Sequence, residues 1–388
     1  MSYLTHLECS LTSKRYDAEQ LIRLSDEGLP LLARYDLEKA RAELDRDEVM
    51  KRPSSMWRFQ ELLPVRDSKH IVSLGEGGKP IVKLPQLGNK FGLNNLFMKD
   101  EGQNPTGSFK ALGLAAAVSR AIELGVTEFV IPTAGNAGGA LAAYAARAGV
   151  SAHVYMPADA PLVNITEVQM TGADLHLVNG LINDAGREAA EAAKAAGNWF
   201  DVSTLKEPYR LEGKKIMGYE LAAHFNWQLP DVVIYPTGGG TGLIGMWKAF
   251  DEMEALGWIS SYRPRMVAVQ SDGCAPVVKA FHDGDEMTGV WENAHTLAGG
   301  LRVPAAVGGR LMLTALRDSD GTAVSVSDHR ILQSQQLLAQ QEGMFVSLEA
   351  AATIAALEDL TQSNWIDADE RVLVFNTGSG IKHRLLLT

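Results

Sequence analysis

The feature that most constrains this chain is an alternation of short apolar runs with alanine-rich stretches, which begins near residue 95 and continues to the C-terminus. Apolar runs fall at 95–100, 128–133, 152–157, 173–178, 231–236, 265–270 and 371–376. Runs such as VVIY and VLVF are continuous rather than alternating, which suits strands covered on both faces. Between them lie segments such as LAAYAARAG and GREAAEAAKAAG, each ending at a glycine able to stop a helix. Strand–helix alternation predicts an α/β chain with right-handed crossovers, in which ligands meet the loops outside the carboxyl ends of the strands. The first fifty residues differ. They are charged and loosely patterned, with one helical stretch expected over 37–50.

A chain of 388 residues implies two domains, or three with a small appendage. An apolar content of 46% is enough to build substantial cores. The formal net charge of -11 argues against nucleic-acid or anionic-membrane partners, which require basic surface. No apolar run approaches the ~20 residues needed to span a bilayer. The opening MSYLTHLECSLTSKRYD lacks a basic segment followed by an apolar one, so no signal peptide is expected. Two cysteines, Cys9 and Cys274, fit a reducing, cytoplasmic setting.

Four loops carry the chemistry. After the 95–100 run comes Asn104-Pro105-Thr106-Gly107-Ser108-Phe109-Lys110, which enters a helical stretch. A lysine set among apolar and small residues favours its neutral amine, the form that attacks an aldehyde. After 128–133 comes Thr133-Ala134-Gly135-Asn136-Ala137, where small residues let the backbone approach a ligand and a helix start favours a carboxylate. After 231–236 comes Gly238-Gly239-Gly240-Thr241-Gly242, a cup of backbone N–H groups suited to one phosphate. It has neither the Gly-Lys-Ser/Thr ending of a nucleotide loop nor the spacing of a dinucleotide fold. The last run ends in Asn376-Thr377-Gly378-Ser379-Gly380. A lysine, an asparagine turn, a phosphate cup and a hydroxyl loop match the aldehyde, ring hydroxyl, phosphate and ring nitrogen of pyridoxal phosphate.

In these loops the chain resembles the fold-type II pyridoxal-phosphate enzymes, and within them the threonine synthases. Trp57-Arg58-Phe59, Leu74-Gly75-Glu76-Gly77 and Pro208-Tyr209-Arg210-Leu211-Glu212-Gly213-Lys214 are similar to further family segments. The resemblance implies two doubly wound open-sheet domains with the cofactor in the cleft between them. It makes Lys110 the Schiff-base lysine and proton shuttle, with Asn136 on the ring hydroxyl. Gly238, Gly239, Gly240, Thr241 and Gly242 would hold the phosphate, and Thr377 would meet an unprotonated ring nitrogen. Lys79, Thr133, Ala134, Gly135, Ala137, Arg210 and Lys215 are the expected substrate contacts. Arg210 and Lys215 form a cationic pair for a second anionic group.

Four positions depart from the family pattern, among them Thr241, where an asparagine or another polar residue is common. Lys79 stands where a threonine is usual, and Ala134 and Ala137 stand where hydroxyl residues are common. The N-terminal segment is similar to a zinc ribbon without its ligands, since Cys9 is followed by Thr12 where a second cysteine would fall; with the nine histidines scattered without ligand spacing as well, no metal is expected. The expected division is a ribbon remnant and helix over 1–50, a large cofactor-binding domain over 51–90 and 200–388, and a small mobile domain over 91–199. The expected activity is conversion of O-phospho-L-homoserine and water to L-threonine and phosphate by a cytoplasmic homodimer. Alternatives are a dehydratase, ammonia-lyase or β-replacement enzyme acting on a β-substituted, acidic amino acid, and a cofactor-binding protein without turnover.

Overall fold

The computed structural model of the chain describes residues 1–382. Its strands are β1 (Leu4–Cys9), β2 (Arg15–Tyr16), β3 (Leu31–Tyr35), β4 (Ile81–Lys83), β5 (Asn95–Asp100), β6 (Glu128–Pro132) and β7 (Ser151–Pro157). They continue with β8 (Asp174–Val178), β9 (Phe200–Asp201), β10 (Val232–Pro236), β11 (Arg265–Ser271), β12 (Thr322–Val326) and β13 (Arg371–Asn376). All seven runs read from the sequence are strands. The chain divides into two compact units, Met1–Gly78 with Asn104–Ile216, and Lys79–Gln103 with Met217–Thr388.

The first unit holds two sheets. One is the antiparallel ribbon β2-β1-β3, and the other is the parallel sheet β8-β7-β6-β9. The ribbon buries Leu4, Leu7, Leu31, Ala33 and Tyr35 against Ala117 and Tyr209, so its apolar face is covered by helices Lys110–Glu123 and Tyr209–His224. Around Cys9 stand the hydroxyls of Thr12 and Ser25. Burial pushes this thiol up, but hydrogen bonds from the Ser25 and Thr12 side chains and the backbone of Thr12 and Leu11 leave it below its ordinary value. The single helix expected over 37–50 is two helices, Leu37–Glu43 and Arg46–Lys51. Asp45 separates them by accepting from the Asp47 and Glu48 N–H groups, a cap competing with helix continuation.

The second unit is one six-stranded sheet, β12-β11-β10-β13-β5-β4, parallel except for the antiparallel edge strand β4. Val232, Ile234, Val267, Val269, Val372 and Val374 are buried together against helix Leu348–Gln362, which accounts for the unbroken β-branched runs. Several charges lie inside this unit, and one group of them is centred on β5. Lys99 on β5 is fully buried and donates to Glu101 (3.0 Å), Glu220 (2.7 Å) and the Lys79 carbonyl (2.8 Å). Burial alone would lower its pKa, but the two carboxylates outweigh burial and raise it.

The units do not follow the expected boundaries. Residues 51–78 and 200–216 group with the first, and 91–103 with the second. The reason lies in pairing: β5 hydrogen-bonds β13 across Asn95↔Arg371 to Asp100↔Asn376, a partner nearly three hundred residues away that periodicity cannot reveal.

Candidate active site

In the first unit, the loop carrying Lys110 is built from a strained turn. Gly107 N–H donates to the Asn104 carbonyl (2.9 Å), and Thr106 takes φ +63°. The Asn104 Oδ1 accepts from Gly77 N–H (3.0 Å), tying this loop to the Leu74–Gly77 segment. Glu76 in that segment is fully buried and accepts from Trp57 Nε1 (2.6 Å), Tyr144 Oη (2.7 Å) and Leu74 N–H (2.9 Å). Its carboxylate therefore anchors the segment. Lys110 opens helix Lys110–Glu123, half-buried, with Nζ 3.8 Å from the Phe109 ring centroid.

Helix Asn136–Ala148 packs against both that helix and the 105–107 turn, so the Lys110 and Asn136 loops lie side by side. Thr133 Oγ1 accepts from Gly135 N–H (3.2 Å) and shapes the loop that includes Ala134 and Ala137. Asn136 Oδ1 is buried and has no hydrogen-bond partner among the described residues, as is Thr106 Oγ1. An orphaned buried amide oxygen is costly unless a ligand hydroxyl or N–H meets it.

Helix Tyr209–His224 begins in the same unit. Glu207 accepts from the Tyr209 and Arg210 N–H groups (2.8 and 2.7 Å). Burial pushes the Glu207 carboxyl up to about 7, against the pull of Arg210 and Lys214 and of those two N–H groups. Arg210 is buried and donates from Nη1 to the Val202 carbonyl (2.6 Å), while its Nε and Nη2 have no partner among the described residues.

The structure does not bring Lys215 together with Arg210. Lys215 Nζ pairs with Glu212 (2.7 Å) and sits 3.9 Å from the Tyr35 ring centroid, on the side of the ribbon. Five residues at about 100° each put the two side chains on different helix faces, whereas four residues return to the same face. The residue beside Arg210 is Lys214, which the sequence reading quoted but did not select. Lys214 is buried, with Nζ 5.0 Å from the Phe109 centroid, and a Cβ on Gly113 would stand 2.9 Å from its Cε. Burial, with the charges of Arg210 and Lys110, holds its pKa well below the ordinary lysine value. The Gly-Lys-Lys string alone gives no sign of this, and helix phase from Arg210 would have found it.

In the second unit, β10, β13 and β5 are adjacent and parallel, so their carboxyl ends share one edge. That edge carries Gly238–Gly242 after β10 and buried Thr377 after β13. Asn376 donates from Nδ2 to Asp100 Oδ1 (2.6 Å) and fixes the base of the Thr377 loop. Gly240 has φ +73°, and a Cβ there would stand 2.0 Å from Met312 Sδ. At Gly238 a Cβ would meet the Gly300 carbonyl at 2.1 Å. Helix Thr241–Ala255 starts from Gly240 with no side-chain cap, and a glycine turn opening a helix suits an anion. Gly239, Thr241 and Gly242 complete the turn, and Lys79 precedes edge strand β4, whose antiparallel pairing with β5 (Ile81↔Lys99) puts it at that same carboxyl edge.

The first unit offers an orphaned acceptor at Asn136 and an amine at Lys110, and the second, taken by itself, a glycine turn leading into a helix; these are the kinds of group a phosphorylated pyridine aldehyde requires. Residues 72–378 match the family described as pyridoxal-phosphate dependent enzyme. Threonine synthase of Methanocaldococcus jannaschii is 36% identical over 96% of this chain and 92% of its own length. That of Methanosarcina acetivorans is 34% identical over 97% and 92%. Among solved structures, maize serine racemase superposes with a TM-score of 0.68 at 21% identity, covering 79% of this chain and 89% of its own. The latter likeness speaks for the fold alone.

Proposed function

This chain belongs to the pyridoxal-phosphate-dependent enzymes, and within them to the threonine synthases, and from that membership we propose that it converts O-phospho-L-homoserine and water to L-threonine and phosphate. The observation that carries the substrate class is Arg210, a buried guanidinium whose Nε and Nη2 await acceptors in the unit that holds Lys110. A substrate with an anion at each end supplies them.

Bound pyridoxal phosphate supplies an aldehyde that captures amines and a ring that withdraws electrons from the α-carbon. In this reading Lys110 Nζ would hold the cofactor, Asn136 would accept from its ring hydroxyl, and Thr377 would meet the ring nitrogen. The backbone of Gly238, Gly239, Gly240, Thr241 and Gly242 binds its phosphate. The loop of Thr133, Ala134, Gly135 and Ala137 receives the substrate carboxylate at a helix start. Lys110 Nζ would take the α-proton and then a β-proton; phosphate would leave the γ-carbon, which gains one proton, water would add its hydroxyl at the β-carbon with its own proton passing to the released phosphate, and the α-carbon would regain the other proton. We further propose that it works as a cytoplasmic homodimer. Among the described residues no helix is long and apolar enough to cross a membrane.

Lys79 in a usual threonine position favours a second reading, an ammonia-lyase for an acidic, β-substituted amino acid. Arg210→Met separates the substrate classes. On phosphohomoserine we expect kcat/KM to fall ~10–150-fold, the worth of a charge-assisted hydrogen bond of roughly 1.5–3 kcal/mol. The cofactor absorption and any activity on serine stay unchanged. Equal losses on charged and neutral substrates would remove Arg210 from anion recognition.

A further inference from the structure

At the opposite, amino ends of the first unit's parallel strands lies a second cluster. Glu128 opens β6, His153 is third in β7, and Asp174 and His176 are first and third in β8. Pairing of His153 with Asp174 in register, and the two-residue spacing of Asp174 and His176, put these side chains on one face. His153 Nδ1 lies 3.1 Å from Asp174 Oδ2, and His176 Nε2 lies 2.9 Å from the same oxygen. The three ligand atoms, two ring nitrogens and a carboxylate oxygen, all lie within 4.8 Å of one another. His153 Nε2 is held by Glu128 Oε2 at 2.9 Å. Both rings are clamped: His153 stacks on Trp199 (centroids 3.5 Å, 12°) and His176 on Tyr155 (4.3 Å, 11°).

We propose that His153, Asp174 and His176 form a binding site for a divalent transition metal of the zinc class, with Glu128 as the positioning carboxylate. Two observations raise it above a surface cluster of charges. The carboxylate–imidazole–metal arrangement needs an acceptor on the far nitrogen of a ligating histidine, and Glu128 stands there. Ligand rotamers must also be fixed before the ion arrives, and two stacked aromatic rings fix them. Ligand–ligand contacts of 3.1 and 2.9 Å are close to the edge of a tetrahedron with metal–nitrogen bonds of about 2.0–2.1 Å. The ion displaces the protons that occupy the two contacts to Asp174. Imidazole nitrogens select zinc, nickel or copper over magnesium or calcium, which prefer all-oxygen sites. The Asp174 and His176 side chains are 57% and 36% exposed, so the fourth position opens to water. Because the strand order places this site at the other end of the sheet from the Thr133–Ala137 loop, it does not depend on the reading of the active site.

The test is zinc titration of the untagged full chain, loaded with pyridoxal phosphate and freed of excess cofactor, followed by calorimetry. A Cys9→Ser background excludes the ribbon thiol. One saturable zinc per chain, unaffected by magnesium, is expected, and cobalt in its place should give visible ligand-field absorption. His176→Ala and Asp174→Asn, both at exposed positions, should abolish the site with circular dichroism unchanged, and Glu128→Gln should weaken it ~10–100-fold. No saturable zinc in the unmodified chain, or equal uptake by the ligand variants, would overturn the proposal.

Discussion

Lys110 stands at the first position of its helix with its nitrogen over the Phe109 ring, and beside it runs the buried stem of Lys214. If Lys110 carries the cofactor, Lys110→Ala should erase both turnover and the borohydride-reducible link, with the circular dichroism of the folded chain retained. Reduction that labels another lysine contradicts the assignment. Glu207 offers a separate residue-scale test. Its carboxyl, pushed up to about 7 from an ordinary value of 4.5 by burial, holds protons that the unfolded chain releases. Its contribution to stability is therefore complete below pH 4.5 and lost as pH rises through 7. Glu207→Gln should flatten the fall in stability between those values, and an unchanged slope in denaturant titrations would mean that Glu207 ionises normally. Lys110 and Asn136 were legible in sequence because each opens a helix after a strand. Lys214 was hidden, because only helix phase distinguishes it from Lys215.

At the scale of elements, β5 shows what interior charge costs. Lys99 is enclosed with Glu101 and Glu220, and Lys99→Met leaves two carboxylates buried without their cation. We expect roughly 3–5 kcal/mol of destabilisation in urea titration, because removing one partner of a buried network strands the others. A loss below about 1 kcal/mol would place the triad in contact with water. The amino end of helix Thr241–Ala255 gives a second test: Gly240→Val sets a branched side chain at φ +73° against Met312. Cofactor retention through dialysis should drop, whereas full retention would move the phosphate elsewhere. The strands around these sites were readable as short apolar runs, NLFM in β5 and VVIY in β10. β12, Thr322–Val326, was not, since TAVSV mixes small polar residues into its run. The ribbon strands were missed because their apolar face is short and is completed only by Ala117 and Tyr209, far along the chain.

For the whole molecule, alternation revealed the α/β class but not which strand joins which sheet, because β5 finds its partner only at β13. The unit boundaries consequently fall at Gly78/Lys79, Gln103/Asn104 and Ile216/Met217 rather than where the patterning changes. Histidine spacing was equally opaque: His153 and Asp174 are 21 residues apart and meet only through the register of β7 and β8. What unites the molecule is the chemistry assigned to it, a γ-phosphate leaving and a hydroxyl arriving one carbon away. The most direct test is to incubate the cofactor-loaded chain with O-phospho-L-homoserine and measure both products, with serine, threonine and 3-hydroxyaspartate in parallel. Phosphate and threonine should appear in equal amounts, with no comparable release of ammonia from the other three. Ammonia from 3-hydroxyaspartate, with neither phosphate nor threonine from phosphohomoserine, would contradict the account.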